Sequence, residues 1–379
     1  MAISEEIARE LLERLGENNV SSIFVTGSVA KGEAASYVAG ESLEIYSDVD
    51  VAVVVDDAAD LEACRRLARG VAAAHPRRTT AYRVFPTPDV GVFTLDDLRA
   101  QQARPGTVDI GRSHRVIFGS AQTPFEADAR SNGGIAPEEA LYLLEHRLLE
   151  SREVVESGGV DAAGAPQARY AHYVTLKNCL DAVTALLIAV GEYAPSRDER
   201  MRLFRRGDIQ GRLASLMPAG SRETIDDCED QMRRLQSTLA AGDFTPERRQ
   251  VDQLLLQLWK RIGDRIHGES GEWYEALRRR GGAGRARDNL RELMVIARRR
   301  SLSRLRVVVR SRAMARYSPL SMLRLTGVVE ALVREMDDEA KDDRIEKHFL
   351  GAMDALTREF GFRDGPLFRR GRDMYRAVT

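Results

Sequence analysis

The chain has 379 residues, of which 43% are hydrophobic and 30% are charged, a composition typical of globular proteins with two or three domains. Its formal net charge is −1, so no overall field directs the protein to nucleic acid or to a membrane surface. The three cysteines form no CxxC pair and the histidines have no metal-ligand spacing, which argues against a disulfide framework and against a zinc site. A reducing cytoplasm is the expected location.

The first 125 residues alternate between helical and strand-like segments. An N-terminal amphipathic helix ends at Gly16, and a short strand then leads into a Gly-Ser turn. We expect residues 31–47 to form a loop before the β-branched run DVDVAVVV. Further segments follow in the order helix 61–74, strand 79–85, strand 89–93 and a last strand near residue 118. This order predicts an α/β head built on a small mixed β-sheet.

After about residue 135 the hydrophobic pattern has the helical period of 3.6 residues. The helix predicted over 170–190 carries an apolar stripe of Leu176, Leu180, Val183, Leu187 and Val190. Its longest apolar run, 182–190, is too short to span a bilayer, so no transmembrane segment is expected. Linker-like composition at 157–168, 191–197 and 278–287 separates the helical parts. We therefore predict three domains, 1–125, 136–245 and 246–379, in which α-helical domains follow the α/β head.

Chemistry is concentrated in the stretch VTGSVAKGE and in the SDVD that follows it. Asp48 and Asp50 stand two residues apart in a predicted strand, so both carboxylates point to one face. Two carboxylates aimed together raise each other's pKa unless cations neutralise them, and hard ions such as Mg²⁺ prefer oxygen ligands. Gly27 lets backbone N–H groups approach a phosphate, and Ser28 adds a hydroxyl donor. Carboxylates for metals beside a turn for phosphates indicate a two-metal site for in-line displacement.

These residues resemble the DNA-polymerase-β-like nucleotidyltransferase superfamily, whose mark is Gly-Ser, then Asp-x-Asp on the next strand, then a third carboxylate on a later strand. GSVAKGE is similar to the version in minimal and antibiotic-modifying prokaryotic nucleotidyltransferases. The resemblance implies the nucleotidyltransferase fold for the head. It also implies that Mg²⁺ or Mn²⁺ is held by Asp48, Asp50 and a third acid. We expect that acid to be Asp89, in PDVGVFTLDDL, with Asp109, in TVDIG, as the alternative.

The resemblance extends to about residue 205, because in these enzymes a helical domain follows the head and one of its lysines contacts the triphosphate. Lys177 matches that position, on a polar stripe of the predicted helix with Tyr170, Tyr173, Asp181 and Thr184. Tyr193 and Ser196 follow the helix, where such families place further nucleotide contacts. Two alternatives stay open. Lys177 and Asp181 have the spacing of a surface ion pair, and Tyr193 and Ser196 have the spacing of a turn after a helix.

Arginine is concentrated in the last third of the chain. Residues 278–316 hold fourteen arginines, no lysine and two acids, a local charge of +12. Three interpretations remain: a solvated face that pairs with the acidic remainder, a surface for an RNA backbone, or a site for another anionic ligand.

The resemblance implies a metal-dependent nucleotidyltransferase that moves a nucleoside monophosphate from an NTP to an acceptor hydroxyl and releases pyrophosphate. The acceptor, a small molecule or RNA, is not identified by the sequence. The preferred NTP among ATP, CTP, GTP and UTP, the role of residues 246–379 and the oligomeric state also stay open. Two other functions compete: a nucleotide-binding module without turnover, and an RNA-binding protein that uses the arginine-rich region.

Overall fold

The computed structural model describes residues 2–39, 42–56, 60–74, 82–84, 88–99, 103–119, 134–156, 165–235 and 245–267. The arginine-rich region 278–316 lies outside these described residues. The described part consists of an α/β head followed by an α-helical unit, as the sequence predicts. Within it, no helix is long and apolar enough to cross a membrane.

The head contains seven strands and five helices in its described part. In chain order they are α1 (Ala2–Leu15), β1 (Val20–Thr26), α2 (Gly27–Ala30), β2 (Ser36–Ala39), β3 (Ser42–Ile45), β4 (Asp50–Val55), α3 (Leu61–Ala74), β5 (Tyr82–Val84), β6 (Asp89–Phe93), α4 (Leu95–Arg99), α5 (Pro105–Arg112) and β7 (Arg115–Gly119). A 3₁₀ turn, Glu17–Asn19, lies between α1 and β1.

The strands form two sheets. A four-stranded mixed sheet has the order β6-β4-β1-β7, in which β4 runs antiparallel to β1 and parallel to β6. A three-stranded sheet has the order β2-β3-β5. The mixed sheet confirms the coarse prediction for the head, and the second sheet was not expected.

The loop prediction for residues 31–47 is wrong, because this segment contains the β2–β3 hairpin. The hairpin reverses the usual distribution of polarity. Glu44 is only 4% exposed, whereas the apolar Val38 is 69% exposed. A hairpin that buries a carboxylate and exposes a valine has no alternating hydrophobic pattern of the usual sense. The sequence therefore gave no strand prediction there.

Side chains of β4 point alternately to the two faces of the four-stranded sheet, and each face packs in a different hydrophobic cluster. Val51, Val53 and Val55, with Val49 before them, form one core with the buried side chains of α1 and α3. Ala52 and Val54 pack on the opposite face with Phe24 and Leu98. Alternate residues of the DVDVAVVV run, the valines at 49, 51, 53 and 55, thus supply one core face of the sheet. The strand begins at Asp50, so Asp48 lies just before it and not within it.

The helical unit is built around α7. Its elements are α6 (Glu138–Glu156), α7 (Ala165–Ala189), α8 (Arg197–Phe204), α9 (Gly207–Leu213), α10 (Ser221–Leu235) and α11 (Thr245–His267). Helices α6, α10 and α11 all pack against α7, and the predicted apolar stripe of α7 is buried in their shared core. Leu255 and Trp259 of α11 belong to this core, so the predicted boundary after residue 245 falls at the start of a helix of the same unit.

The head and the helical unit are joined by buried contacts. Tyr46 and Val108 of the head lie in the hydrophobic cluster that α6 and α7 form. This shared core holds one side of α7 against the end of the head at which β4 begins.

Candidate functional site

The Gly27-Ser28 turn lies in contact distance of the Asp50 carboxylate. β1 ends at Thr26, which is paired with Asp50 across the antiparallel β1–β4 ladder. Gly27 then adopts φ +68°, and a Cβ placed on it would lie 2.3 Å from Asp50 Oδ2. Any side chain at position 27 would therefore displace this carboxylate, and the positive φ favours glycine independently. The turn and the first strand aspartate form one compact unit.

Three predicted acids converge beside this turn. Asp50 is the register partner of Asp89 on the parallel strand β6, and the Asp89 N–H donates to Val49 O at 3.0 Å. Asp48 lies two residues before Asp50. Burial raises the pKa of Asp50 to about 7, and the nearby charges of Asp48 and Asp89 add to this effect. Crowded carboxylates with a perturbed pKa are typical of functional sites.

Lys177 reaches this acidic cluster from α7. Its Nζ lies 2.9 Å from Asp48 Oδ2 and 3.6 Å from Glu150 Oε1 of α6. Arg147 pairs with Glu150 and also lies 2.6 Å from Asp181 Oδ2. The alternative pair of Lys177 with Asp181 is thus not the one formed. Lys177 bridges an acid of the head and an acid of the helical unit.

Two further residues of the polar stripe of α7, Tyr170 and Tyr173, also face the head. The Tyr173 hydroxyl lies 2.9 Å from Ser47 Oγ, which in turn accepts the Ala35 N–H at 2.8 Å. The Tyr170 ring lies 6.5 Å from that of Tyr46. Burial raises the pKa of both Tyr170 and Tyr173. These contacts fix the helix so that Lys177 faces Asp48.

The two candidates for the third acid occupy different places. Asp89 starts β6 beside Asp50 and is exposed to solvent. Asp109 lies on α5, where its Oδ2 is 2.5 Å from Lys31 Nζ and its Oδ1 accepts the Tyr193 hydroxyl at 2.6 Å. The structure therefore brings Asp89 to Asp48 and Asp50, whereas Asp109 has two partners of its own.

Ser196 has a local structural role in the turn after α7. Its Oγ accepts the Glu199 N–H at 3.2 Å and donates to Glu199 Oε2 at 2.9 Å, which is a capping box at the start of α8. Tyr193 is buried, at 1% exposure, and its hydroxyl bonds to Asp109. Ser196 therefore has the turn role of the alternative, whereas the Tyr193 hydroxyl contacts α5 of the head.

The carboxylate oxygens at the head suit a hard divalent cation. Burial and the neighbouring carboxylates raise the pKa of Asp50, and a bound cation would offset this effect. As the side chains stand, however, no group of three or more His, Cys, Asp or Glu side chains in the described ranges is arranged to hold a metal ion. One oxygen of Asp48 is bonded to the Lys177 ammonium. The donor set fits Mg²⁺ or Mn²⁺ in kind, and Lys177 supplies the local positive charge.

Several residues of this site were not found from the sequence. Lys31 stands inside the quoted motif VTGSVAKGE, but no spacing rule connects it with Asp109, 78 residues later. Arg147 and Glu150 have the spacing of an ordinary helical ion pair. Only the packing of α6 on α7 brings Glu150 to Lys177.

No protein-family model matches the chain, and no curated protein matches its sequence significantly.

Proposed function

We propose that the protein is a metal-dependent nucleotidyltransferase, which transfers a nucleoside monophosphate from an NTP to an acceptor hydroxyl. One observation carries the proposal: Asp48, Asp50 and Asp89 converge beneath the Gly27-Ser28 turn. Like-charged carboxylates are brought together at a cost in free energy. Such an arrangement is expected where cationic ligands and a phosphate chain bind.

The head and the helical unit both supply groups that bind the nucleotide. On the head, the backbone N–H groups of the Gly27-Ser28 turn and the Ser28 hydroxyl hold phosphate oxygens. From the helical unit, Lys177 contributes an ammonium that pairs with Asp48 and contacts the phosphates when nucleotide is present. Asp48, Asp50 and Asp89 would hold Mg²⁺ or Mn²⁺. When bound, these ions neutralise the triphosphate and polarise its α-phosphorus.

The reaction balances as an in-line displacement. The acceptor oxygen forms a bond to the α-phosphorus, the bond from that phosphorus to the β-phosphate oxygen breaks, and pyrophosphate leaves. Asp89 is the exposed acid of the three, and it takes the hydroxyl proton and passes it to solvent. Asp48 is partly exposed, at 46% of its side chain, so this acid is accessible to a substrate from solvent.

Transfer of label tests the proposal. The pure protein is incubated with each α-³²P-labelled NTP, Mg²⁺ or Mn²⁺ and cell extract, beside an Asp48→Asn/Asp50→Asn variant. An Asp56→Asn variant is the matched control, because Asp56 is exposed just after the far end of the same strand. Label moved by the parent and the control but not by the double variant supports the proposal. Its mobility assigns the acceptor to small molecules, RNA or protein.

A nucleotide-binding module without turnover is the second candidate, and the Lys177–Asp48 ion pair favours it. An ammonium already neutralises one acid of the cluster, so binding of a nucleotide does not require metal at Asp48. The two functions differ in one result. Nucleotide binding without transfer of label to any acceptor supports the module and contradicts the enzyme.

A further inference from the structure

The segment that follows the Gly-Ser turn is fastened by a buried ion pair. Lys31 comes directly after α2, and its N–H donates to Gly27 O at 3.3 Å. Its Nζ lies 2.5 Å from Asp109 Oδ2, with 7% of the Lys31 side chain and 15% of the Asp109 side chain exposed. The pair therefore ties the turn to α5 within the head.

Asp109 also accepts a hydrogen bond from the helical unit. The buried Tyr193 lies in the connection between α7 and α8, and its hydroxyl donates to Asp109 Oδ1 at 2.6 Å. Both oxygens of Asp109 thus accept donors, one from each unit. A charged acceptor makes such hydrogen bonds stronger than bonds between neutral groups.

A second contact from the same short segment reaches the helical unit. Glu33 Oε1 accepts the Arg197 N–H at 2.6 Å, at the first residue of α8. Glu33 N–H in turn donates to Ser28 O at 2.9 Å. Lys31 therefore contacts the segment before α8 through Asp109 and Tyr193, and Glu33 contacts the first residue of α8 directly.

A metal role for Asp109 conflicts with these contacts. If Asp109 turned to ligate a cation, the buried Lys31 ammonium would lose its carboxylate, and a buried charge without its partner is strongly unfavourable. The Tyr193 hydroxyl, almost fully enclosed, would lose its acceptor as well.

We propose that Asp109 is a positioning residue, which couples the Gly27-Ser28 turn to the helical unit through Lys31 and Tyr193. Its consequence for nucleotide affinity rests on the proposed function, whereas the mechanical coupling does not. Tyr193 acts through Asp109 and not by contact with the nucleotide. The position of the phosphate-holding turn thereby depends on the contact between the head and the helical unit.

Hydrogen exchange tests the coupling without any nucleotide. Amide exchange of residues 27–33 is followed by mass spectrometry in the parent, in Tyr193→Phe and in Lys31→Met/Asp109→Asn. The double variant removes both charges of the pair, so no buried charge of this pair is left without its partner. We expect exchange about tenfold faster in 27–33 for both variants, because each removes a bond that fixes the turn. Unchanged exchange in this segment overturns the proposal.

Asp97→Asn is the matched control. Asp97 also forms an ion pair in the head, with Arg65 at 3.3 Å, but this pair joins α4 to α3 and not to the Gly27-Ser28 turn. It should leave exchange in 27–33 unchanged. Faster exchange in 27–33 for this control as well would show general loosening of the head and would overturn the specific coupling.

Nucleotide and metal titrations separate positioning from ligation. With each of the four NTPs and Mg²⁺, Tyr193→Phe and the double variant should raise the nucleotide Kd about tenfold at an unchanged Mg²⁺ midpoint. A raised Mg²⁺ midpoint at unchanged nucleotide Kd would make Asp109 a metal ligand and overturn the proposal. If the parent binds no NTP, the proposed function fails, and the hydrogen-exchange result alone decides the coupling.

Discussion

Lys177 Nζ lies 2.9 Å from Asp48 Oδ2, so an ammonium of the helical unit neutralises one of the three converging acids of the head. The same ammonium is 3.6 Å from Glu150 Oε1. Lys177 therefore has two fixed acids and, in the proposed reaction, a third anionic partner in the triphosphate. Because one ammonium cannot serve Asp48 while a divalent cation occupies the same oxygen, cation binding and the Lys177–Asp48 pair compete.

Replacing Lys177 with methionine tests this competition. We expect Mn²⁺ to bind the nucleotide-free variant about tenfold more tightly, because the competing positive charge is gone. We expect NTP affinity to fall, because a phosphate contact is lost. Stability should fall by about 1–3 kcal/mol, since Asp48 and Glu150 lose a charged partner. Mn²⁺ titration by electron paramagnetic resonance measures the first effect, and Lys260→Met, on α11, serves as the control.

The opposite result is equally informative. If Mn²⁺ affinity in Lys177→Met is unchanged or weaker than in the parent, the ammonium does not compete with a cation at Asp48. The role of Lys177 in the nucleotide-free protein would then be confined to holding the two units together.

Gly27→Ala should disrupt the site, whereas Gly32→Ala should only strain it. Both glycines have positive φ, +68° and +71°, so both substitutions carry a conformational cost of about 1–2 kcal/mol. Only the Cβ at position 27 meets Asp50 Oδ2, at 2.3 Å, whereas that at position 32 meets no described atom within 4 Å. Transfer activity should fall at least tenfold further in Gly27→Ala. Equal losses in the two variants would mean that the Gly27–Asp50 contact has no part in activity.

The part of the site that could be predicted from the sequence is the part encoded locally. Asp48 and Asp50 are two residues apart, so strand geometry predicts that they share one face, whereas the choice of Asp89, at the start of a Val-rich strand, depends on the resemblance. Lys177 follows from the resemblance, and its place on a polar stripe of an otherwise apolar helix agrees with that assignment. A period of 2 residues thus carries the prediction for Asp48 and Asp50, and the family pattern carries the predictions for Asp89 and Lys177.

The remaining contacts depend on tertiary packing, within the head or between the two units, which has no period in the sequence. Lys31 and Asp109 are 78 residues apart, and Glu44 and Arg169 are 125 residues apart. Burial of Glu44 also inverts the polarity of the hairpin, so the pattern pointed away from a strand. Such pairs become visible only when elements distant in the sequence are packed together.

The pH dependence of the free energy of unfolding should report the raised pKa of Asp50. Burial, with the charges of Asp48 and Asp89, raises the pKa of Asp50 to about 7, although Lys177 and Lys31 oppose the shift. Between pH of about 4 and about 7 the folded state keeps a proton that the unfolded chain has released, so this contribution to stability is lost as pH rises. The effect is at most a few kcal/mol, at about 1.4 kcal/mol per pKa unit.

Urea unfolding at about pH 5.5 and about pH 7.5 measures this contribution. The parent should lose more stability across the interval than Asp50→Asn does, because the variant lacks the titrating group. Parallel losses in the two proteins would rule out a raised pKa at Asp50. Saturating Mg²⁺ should shrink the difference, since a cation at the cluster lowers the pKa of Asp50.

The buried pair of Glu44 and Arg169 should stabilise the junction of the two units. Arg169 Nη2 donates to Glu44 Oε2 at 2.6 Å, Nε donates to the Tyr46 hydroxyl at 2.8 Å, and the guanidinium carbon lies 4.4 Å from the centre of the Tyr37 ring. Arg169→Met leaves a carboxylate of 4% exposure without its cation. We expect a loss of about 3–5 kcal/mol in the free energy of unfolding.

Two further variants show whether the loss comes from the unpaired charge. Glu44→Gln/Arg169→Met removes both charges and keeps an acceptor for the Tyr46 hydroxyl, so it should recover about half of the loss or more. Arg206→Met breaks an exposed pair with Asp208, with side chains 53% and 61% exposed, and should leave the free energy of unfolding nearly unchanged because solvent screens the pair. If the double variant is as unstable as Arg169→Met, the arginine stabilises the junction by packing on Tyr37 and not by neutralising Glu44.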